Sequence, residues 1–135
     1  MGTVHRRNGA GTQTWDYATV AVKEYTSGNA TPGSTRRILI GQDEGAEDFI
    51  VRYFTIPAGG HSAFEHHRHQ HGVVIVHGSG RVLLGEEWTE VGVGDAVFVA
   101  PDEQHQFVAD ESGPLGFICV IPKWAKAKPE ATPAE

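Results

Sequence analysis

Short runs of β-forming residues, separated by glycine-rich turns, limit the fold of this 135-residue chain most narrowly. Segments rich in Val, Ile, Phe and Tyr follow one another at intervals of roughly 8–12 residues, and no sustained helical period interrupts them. Glycines stand just outside many of these segments, where tolerance of positive φ permits tight turns. The pattern predicts one all-β domain, a sandwich or a barrel. The predicted strands are 37–40, 49–56, 73–76, 81–84, 88–91, 96–100, 104–109 and 115–121.

The two ends of the chain differ in composition from its middle. Residues 1–14 are polar and glycine-rich, which predicts a flexible lead, and residues 123–135 predict a flexible tail. Between them we expect an N-terminal arm over 15–33 and the barrel over 34–122. The arm is expected to cover an exposed sheet edge in its own or a partner's barrel, and the chain to pair as a homodimer.

Composition argues against several kinds of partner and location. Seventeen acidic and eleven basic residues give a formal charge of −6, and no basic cluster is longer than a pair. This balance argues against nucleic acid and against an anionic membrane as partners. Cys119 is the single cysteine, so an internal disulfide is excluded and a reducing compartment is favoured. With no apolar run near the length of a membrane span and no signal peptide visible, we expect a cytoplasmic protein.

Five of the eight histidines lie within residues 61–71. A packed core rarely concentrates imidazoles, because each buried ring nitrogen needs a partner. Imidazole and carboxylate at alternating positions suit a divalent transition metal. In a strand, Glu65 and His67 would share one face about 6.6 Å apart, whereas His71 would lie about 20 Å from Glu65. The chain must therefore reverse at 68–70 if all three residues serve one ion.

Two motifs in the chain resemble those of the cupin family. The first cupin motif has a Pro-Gly turn, HxH, a glutamate and a closing glycine, which here correspond to the turn at 57–60 and to Gly78. The second motif, with Gly-Asp, a short strand and a lone histidine, corresponds to 93–107, although Asp102 stands where a turn glycine is usual. The resemblance covers about residues 34–122. It implies a single-domain, RmlC-like antiparallel jelly-roll barrel with a metal site.

The resemblance implies a ligand set in which a carboxylate and an imidazole have changed places. Counting back from Gly78, the glutamate position of the family holds His71 and the HxH pair falls on Glu65 and His67. His105 takes the place of the lone histidine. The implied metal ligands are therefore Glu65, His67, His71 and His105. The 33 residues between His71 and His105 resemble the spacing in small four-histidine cupins associated with manganese.

Three alternatives to this ligand set stay open. His69 could replace His71 or Glu65 as a ligand. Glu65 could merely orient His67, leaving a site of three histidines. The whole stretch could also be a solvated loop without a ligand. If the chain reverses at 68–70, His66 and His69 are expected to face solvent or the barrel rim.

Three imidazoles and one carboxylate suit one Mn, Fe, Ni, Cu or Zn ion per chain, and suit neither Ca nor Mg. Four protein ligands on an octahedral ion leave two positions for a substrate or for substrate and O2. We therefore expect a transition-metal-binding enzyme acting on a small organic substrate, with a dioxygenase-like oxidoreductase as the first interpretation. An isomerase, a lyase and a non-catalytic small-ligand or metal-binding module are the alternatives.

The sequence leaves the lining of the site and its acid–base groups undetermined. Arg52, Tyr53 and Gln106 are candidates for an acid or base, and Cys119 faces either the cavity or the outer layer. His77, just before a turn glycine, is expected at the surface. The expected apolar lining is drawn from Phe49, Val51, Tyr53, Val73, Ile75, Phe107 and Phe117.

Overall fold

The described residues form eleven strands, and every strand pair among them is antiparallel. The computed structural model describes residues 2–8, 14–26 and 28–127. Within these residues the helical segments are two short 3-10 helices, at Gln42–Glu44 and Lys123–Ala127. The strands are β1 (Arg7–Asn8), β2 (Asp16–Tyr17), β3 (Lys23–Glu24), β4 (Thr35–Ile40), β5 (Phe49–Ile56), β6 (His71–His77), β7 (Ser79–Leu84), β8 (Glu87–Gly92), β9 (Ala96–Val99), β10 (His105–Ala109) and β11 (Leu115–Pro122).

Two sheets enclose one hydrophobic core. A six-stranded sheet has the order β3-β4-β5-β11-β6-β9, and a three-stranded sheet has the order β10-β7-β8. A single core cluster takes Ile75 and Val99 from the larger sheet and Val82 and Phe107 from the smaller one. The predicted all-β class and jelly-roll arrangement are confirmed, and each of the eight predicted strands overlaps one of β4 to β11. Sheets that face each other across a core bring together residues that are far apart in sequence.

The N-terminal arm begins on the outer face of the larger sheet, at Trp15. Strand β3 pairs with β4 and so covers that sheet edge within the same chain. The Trp15 ring stacks on Tyr53 at a centroid distance of 5.4 Å, and the Trp15 backbone N–H donates to the Tyr53 hydroxyl. The same hydroxyl is also hydrogen-bonded to His77 Nε2, 3.0 Å away. Burial raises the pKa of Tyr53 to about 12, so the hydroxyl keeps its proton.

His77 is buried, and the expectation that it lies at the surface is wrong. The sequence places it next to the turn at Gly78, but the arm covers this end of β6. The Trp15 ring meets His77 edge-on at a centroid distance of 5.9 Å. A register shift between Gly116 and Phe117 accompanies the pairing of His77 with β11.

A methyl group at Gly116 would overlap the imidazole of His77. We expect Gly116→Ala to lower the free energy of unfolding by about 1–3 kcal/mol, because the ring must move and break its contact with Tyr53. Gly72→Ala is the matched control, since this exposed strand glycine has nothing within 4 Å of an added Cβ. Its effect should stay within about 0.5 kcal/mol. Equal thermal unfolding midpoints for the two variants would contradict the conclusion that a side chain at Gly116 displaces the His77 ring.

The described residues near the two ends of the chain form short elements. Strand β1 lies within the segment predicted as a flexible lead, and it pairs with β2. The 3-10 helix at Lys123–Ala127 begins the segment predicted as a flexible tail, whose residues 128–135 lie outside the described part, as do 9–13 of the lead. No helix among the described residues is both long and apolar enough to cross a membrane.

Candidate metal centre

Two of the predicted ligands face each other from opposite sheets. His71 is the first residue of β6 in the larger sheet, and His105 is the first residue of β10 in the smaller one. Each is 6% exposed, and their ring centroids are 4.9 Å apart. The packing of the two sheets against each other therefore brings together two imidazoles that are widely separated in sequence.

The connection between β5 and β6 supplies the other two predicted ligands. Glu65 forms an isolated bridge with His105, in which both backbone amides donate, over 3.2 and 3.0 Å. Glu65 Oε1 lies 3.1 Å from His67 Nε2. The His67 ring centroid is 5.4 Å from those of both His71 and His105. The structure thus gathers all four predicted ligand residues, with the chain bending at 68–69 between His67 and His71.

His69 belongs to the same cluster, and the expectation that it faces solvent or the rim is wrong. It is 6% exposed, and its ring centroid is 4.7 Å from those of both His67 and His71. The Trp124 ring meets it edge-on at 6.1 Å, so the 3-10 helix at the end of the barrel helps to bury it. His66, by contrast, is exposed as expected.

The donor atoms fall into two overlapping groups of three. The donor atoms of His67, His69 and His71 lie within 4.8 Å of one another, and so do those of Glu65, His67 and His105. His67 is shared by the two groups. The geometry therefore supports a metal centre around His67, and the ligand role of His69 stays open.

Hydrogen bonds at Nδ1 orient His71 and His105 towards the cluster through Nε2. The Nδ1–H of His105 donates to the Glu103 carbonyl oxygen over 3.0 Å, which places the lone pair of the neutral ring on Nε2. His71 Nδ1 lies 3.3 Å from Cys119 Sγ. Burial, followed by the charge of His105 and other neighbours, lowers the pKa of His71 to about 2. The His71 ring is therefore neutral at neutral pH, the state in which imidazole binds metal.

A buried ring nitrogen without a hydrogen-bond partner bears on whether these residues fit a metal ion. Within the described residues, Nε2 of His71 is buried and has no hydrogen-bond partner. An unsatisfied buried polar group costs about 1–3 kcal/mol, and a bound cation removes that cost. Neutral imidazoles beside one carboxylate match the donor preferences of divalent transition metals. The residues present therefore fit such an ion.

The turn between β9 and β10 supports the cluster from outside. Asp102 has a φ of 63°, the left-handed region that glycine adopts most easily. Its backbone N–H donates to the carbonyl oxygen of His67 over 2.6 Å. Aspartate thus retains, at this position, a backbone conformation that glycine usually supplies.

A cavity inside the barrel reaches three of the predicted ligands, Glu65, His71 and His105. It has an empty volume of about 550 Å³, part of which is open to solvent. Glu65, His71 and His105 thus line this cavity as well as the cluster. The other residues lining it are Tyr25, Ala30, Ser34, Arg52, Phe54, Thr55, Ile56, Ser62, Ala63, Val73, Phe107, Phe117 and Cys119.

The lining differs in part from the sequence-based expectation. Val73, Phe107 and Phe117 line the cavity as expected, whereas Tyr53 lies under the arm on the opposite face of the sheet. Cys119, left open by the sequence, is on the cavity wall.

The contribution of the arm, and of Ser34 just after it, to the cavity was not predicted from sequence. Tyr25, Ala30 and Ser34 contribute one wall, and nothing in their local pattern indicates it, because the chain folds back onto the barrel through long-range contacts. One such contact is the hydrogen bond from the Thr31 backbone N–H to the His61 carbonyl oxygen.

Comparison with known proteins identifies the family. The family model for the cupin domain matches residues 52–121. The chain belongs to the cupin family. A cupin 2 conserved barrel domain protein from Rhodopseudomonas palustris is 34% identical, with a TM-score of 0.75 over 87% of this chain and 79% of that one. The polyketide cyclase RemF from Streptomyces resistomycificus is 27% identical, with a TM-score of 0.72 over 90% of this chain and 79% of that one.

One relative of the chain is a named enzyme. The cupin is 39% identical over 71 residues to 1-methylthio-D-xylulose 5-phosphate methylsulfurylase of Rhodospirillum rubrum. The match covers 53% of this chain and 46% of that protein, so the chain spans less than half of the relative.

Proposed function

We propose that this cupin is a transition-metal enzyme that acts on a small, oxygen-bearing organic substrate. The ion would be held by Glu65, His67, His71 and His105. The observation that carries the proposal is that three of these residues line one cavity. A structural metal is normally closed off by its ligands, whereas a catalytic one keeps an open position.

The cavity wall would bind and orient the substrate next to the ion. Phe54, Phe107 and Phe117 form stacked pairs with centroids 5.4 and 4.5 Å apart, and they exclude water from one side of the cavity. Arg52 and Tyr25 supply polar groups on the same wall. A bound divalent ion would supply Lewis acidity towards a substrate oxygen and, if redox-active, a site for O2 chemistry.

Two reaction classes suit this arrangement. The dioxygenase-like reaction first expected from the sequence draws support from the apolar wall and from the positions that four ligands leave open. Non-oxidative Lewis-acid chemistry, as in an isomerase or lyase, draws support from the relatives. The names of the methylsulfurylase and of the polyketide cyclase denote reactions other than oxygenation. We therefore place the Lewis-acid reaction first.

Metal analysis combined with oxygen measurements tests the proposal. We expect about one transition-metal ion per chain in protein purified without added chelator, and turnover of hydroxyketone or ketose substrates that continues in the absence of O2. Oxygen uptake in step with substrate loss would favour the dioxygenase instead. Ligand binding without turnover would support the non-catalytic module, and protein that takes up no transition metal would contradict the proposal. The homodimer remains a prediction from the sequence.

A further inference from the structure

Arg52 is a buried cation on the wall of the candidate active site. It lies on the inward face of β5, is 2% exposed and lines the same cavity as Glu65, His71 and His105. A buried arginine is costly unless its guanidinium finds partners. One partner is the Cys119 sulfur, which accepts from a terminal N–H of Arg52 over 3.2 Å. Another is the Phe54 ring, whose centre is 4.9 Å from the guanidinium carbon.

Arg52 lies close to the metal cluster. The Cys119 sulfur contacts both Arg52 and His71 Nδ1, so these two groups are at most two hydrogen-bond lengths apart. One small molecule would therefore contact Arg52 through one of its groups and the ion through one of its oxygens.

The charge balance of the cavity favours an anion. Among the described residues lining it, Arg52 is the one arginine or lysine and Glu65 is the one acidic residue. With a divalent ion bound, the cavity carries two net positive charges beside stacked aromatic rings. Charges interact more strongly in such a partly dry site than in water. Guanidinium groups pair best with the oxygens of carboxylates and phosphates.

We propose that Arg52 selects substrates that carry an oxyanion, either a carboxylate or a phosphate, and binds this group while another substrate oxygen reaches the metal. This inference rests on the proposed function and adds the substrate class to it. Arg52 would be a specificity-determining residue, and the apolar wall of Phe54, Phe107 and Phe117 would accommodate the rest of the molecule.

Binding to the metal-loaded protein tests this proposal without a known substrate. Isothermal titration would compare glycolate, glycerol phosphate and the neutral glycolamide, with the metal content of each sample measured in parallel. We expect at least one oxyanion to bind wild-type protein at least about tenfold more tightly than glycolamide, since hydrogen bonds to charged groups are the stronger ones. The tighter oxyanion then distinguishes a carboxylate from a phosphate substrate.

Substitutions at Arg52 give the second part of the experiment. Arg52→Met should weaken oxyanion binding at least about tenfold, with metal content and glycolamide binding unchanged, and Arg52→Lys should retain part of the affinity. Arg37→Met is the matched control, because Arg37 is a buried arginine that does not line the cavity.

The outcomes separate this inference from the proposed function. Wild-type protein that binds metal but shows no preference for an oxyanion would overturn the inference alone, whatever the stability of the variants. Unchanged oxyanion binding in Arg52→Met would also overturn it. A loss of metal in that variant would show that Arg52 acts through Cys119 and His71, and would overturn its assignment as a substrate-binding residue. Wild-type protein without metal would overturn both.

Discussion

Replacing His71 or His105 by alanine is expected to lower the affinity for a divalent transition metal by more than about 100-fold. Changes in residues that only support metal ligands already cost about 10–100-fold. These two histidines come from opposite sheets, and their orientation by the Glu103 carbonyl and the Cys119 sulfur directs Nε2 of each towards the cluster. The measurement is metal content after dialysis, together with competition against a chromogenic chelator.

His66→Ala is the control for this experiment. His66 lies in the same histidine-rich stretch but is exposed, and its loss should leave the metal content at the wild-type level. His69→Ala reports on the second donor group, and we expect a smaller loss, of about tenfold, because His69 does not line the cavity. Wild-type metal content in His105→Ala would place the ion on His67, His69 and His71 alone and refute the two-sheet site.

Exchanging Glu65 for histidine is expected to keep the metal and to change its electronic properties. Glu65→His raises the net charge of the ion and its four ligands by one unit. A more positive site stabilises the reduced form of the ion and lowers the pKa of bound water. We therefore expect a higher reduction potential, measured by voltammetry or redox titration of the iron- or manganese-loaded protein.

Glu65→Gln separates charge from shape at the same position. An amide is a weaker metal donor than a carboxylate, so the affinity for the metal should fall by about tenfold or more. If both variants bound metal as tightly as wild type, with unchanged spectra, Glu65 would not be a ligand. The close approach of Glu65 to His67 would then mean that the carboxylate orients this histidine, the alternative left open by the sequence.

The strands could be predicted from sequence because they depend on local regularities, whereas the four ligands were predicted from the resemblance to the cupin motifs. Short runs of β-forming residues with glycine turns located β4 to β11, and the motif spacing of that family selected Glu65, His67 and His71 within the histidine-rich stretch and His105 beyond it. The burial of His69 and His77 could not be predicted in this way. It depends on Trp124 and Trp15, which cover the two histidines from distant parts of the chain.

The contrast between Arg52 and Tyr53 shows the same limit. Period-two alternation requires these neighbours on β5 to face opposite sides of the sheet, but it does not say which one faces the cavity. Which of them faces the cavity is determined by the pairing of β5 with β4 and β11 and by the placement of the arm. An ionisable residue next to the metal cluster was therefore visible in the sequence only as one candidate among three.

One wall of the cavity, formed by Tyr25, Ala30 and Ser34, comes from a different part of this cupin than the predicted metal ligands. The family match begins at Arg52, so these residues lie outside the part of the chain that it covers, whereas the four predicted metal ligands lie inside it. Changes in this short segment would reshape one wall of the cavity while leaving the four predicted metal ligands in place. Exchanging residues 25–34 is therefore a direct route to a cavity of different shape beside the same cluster.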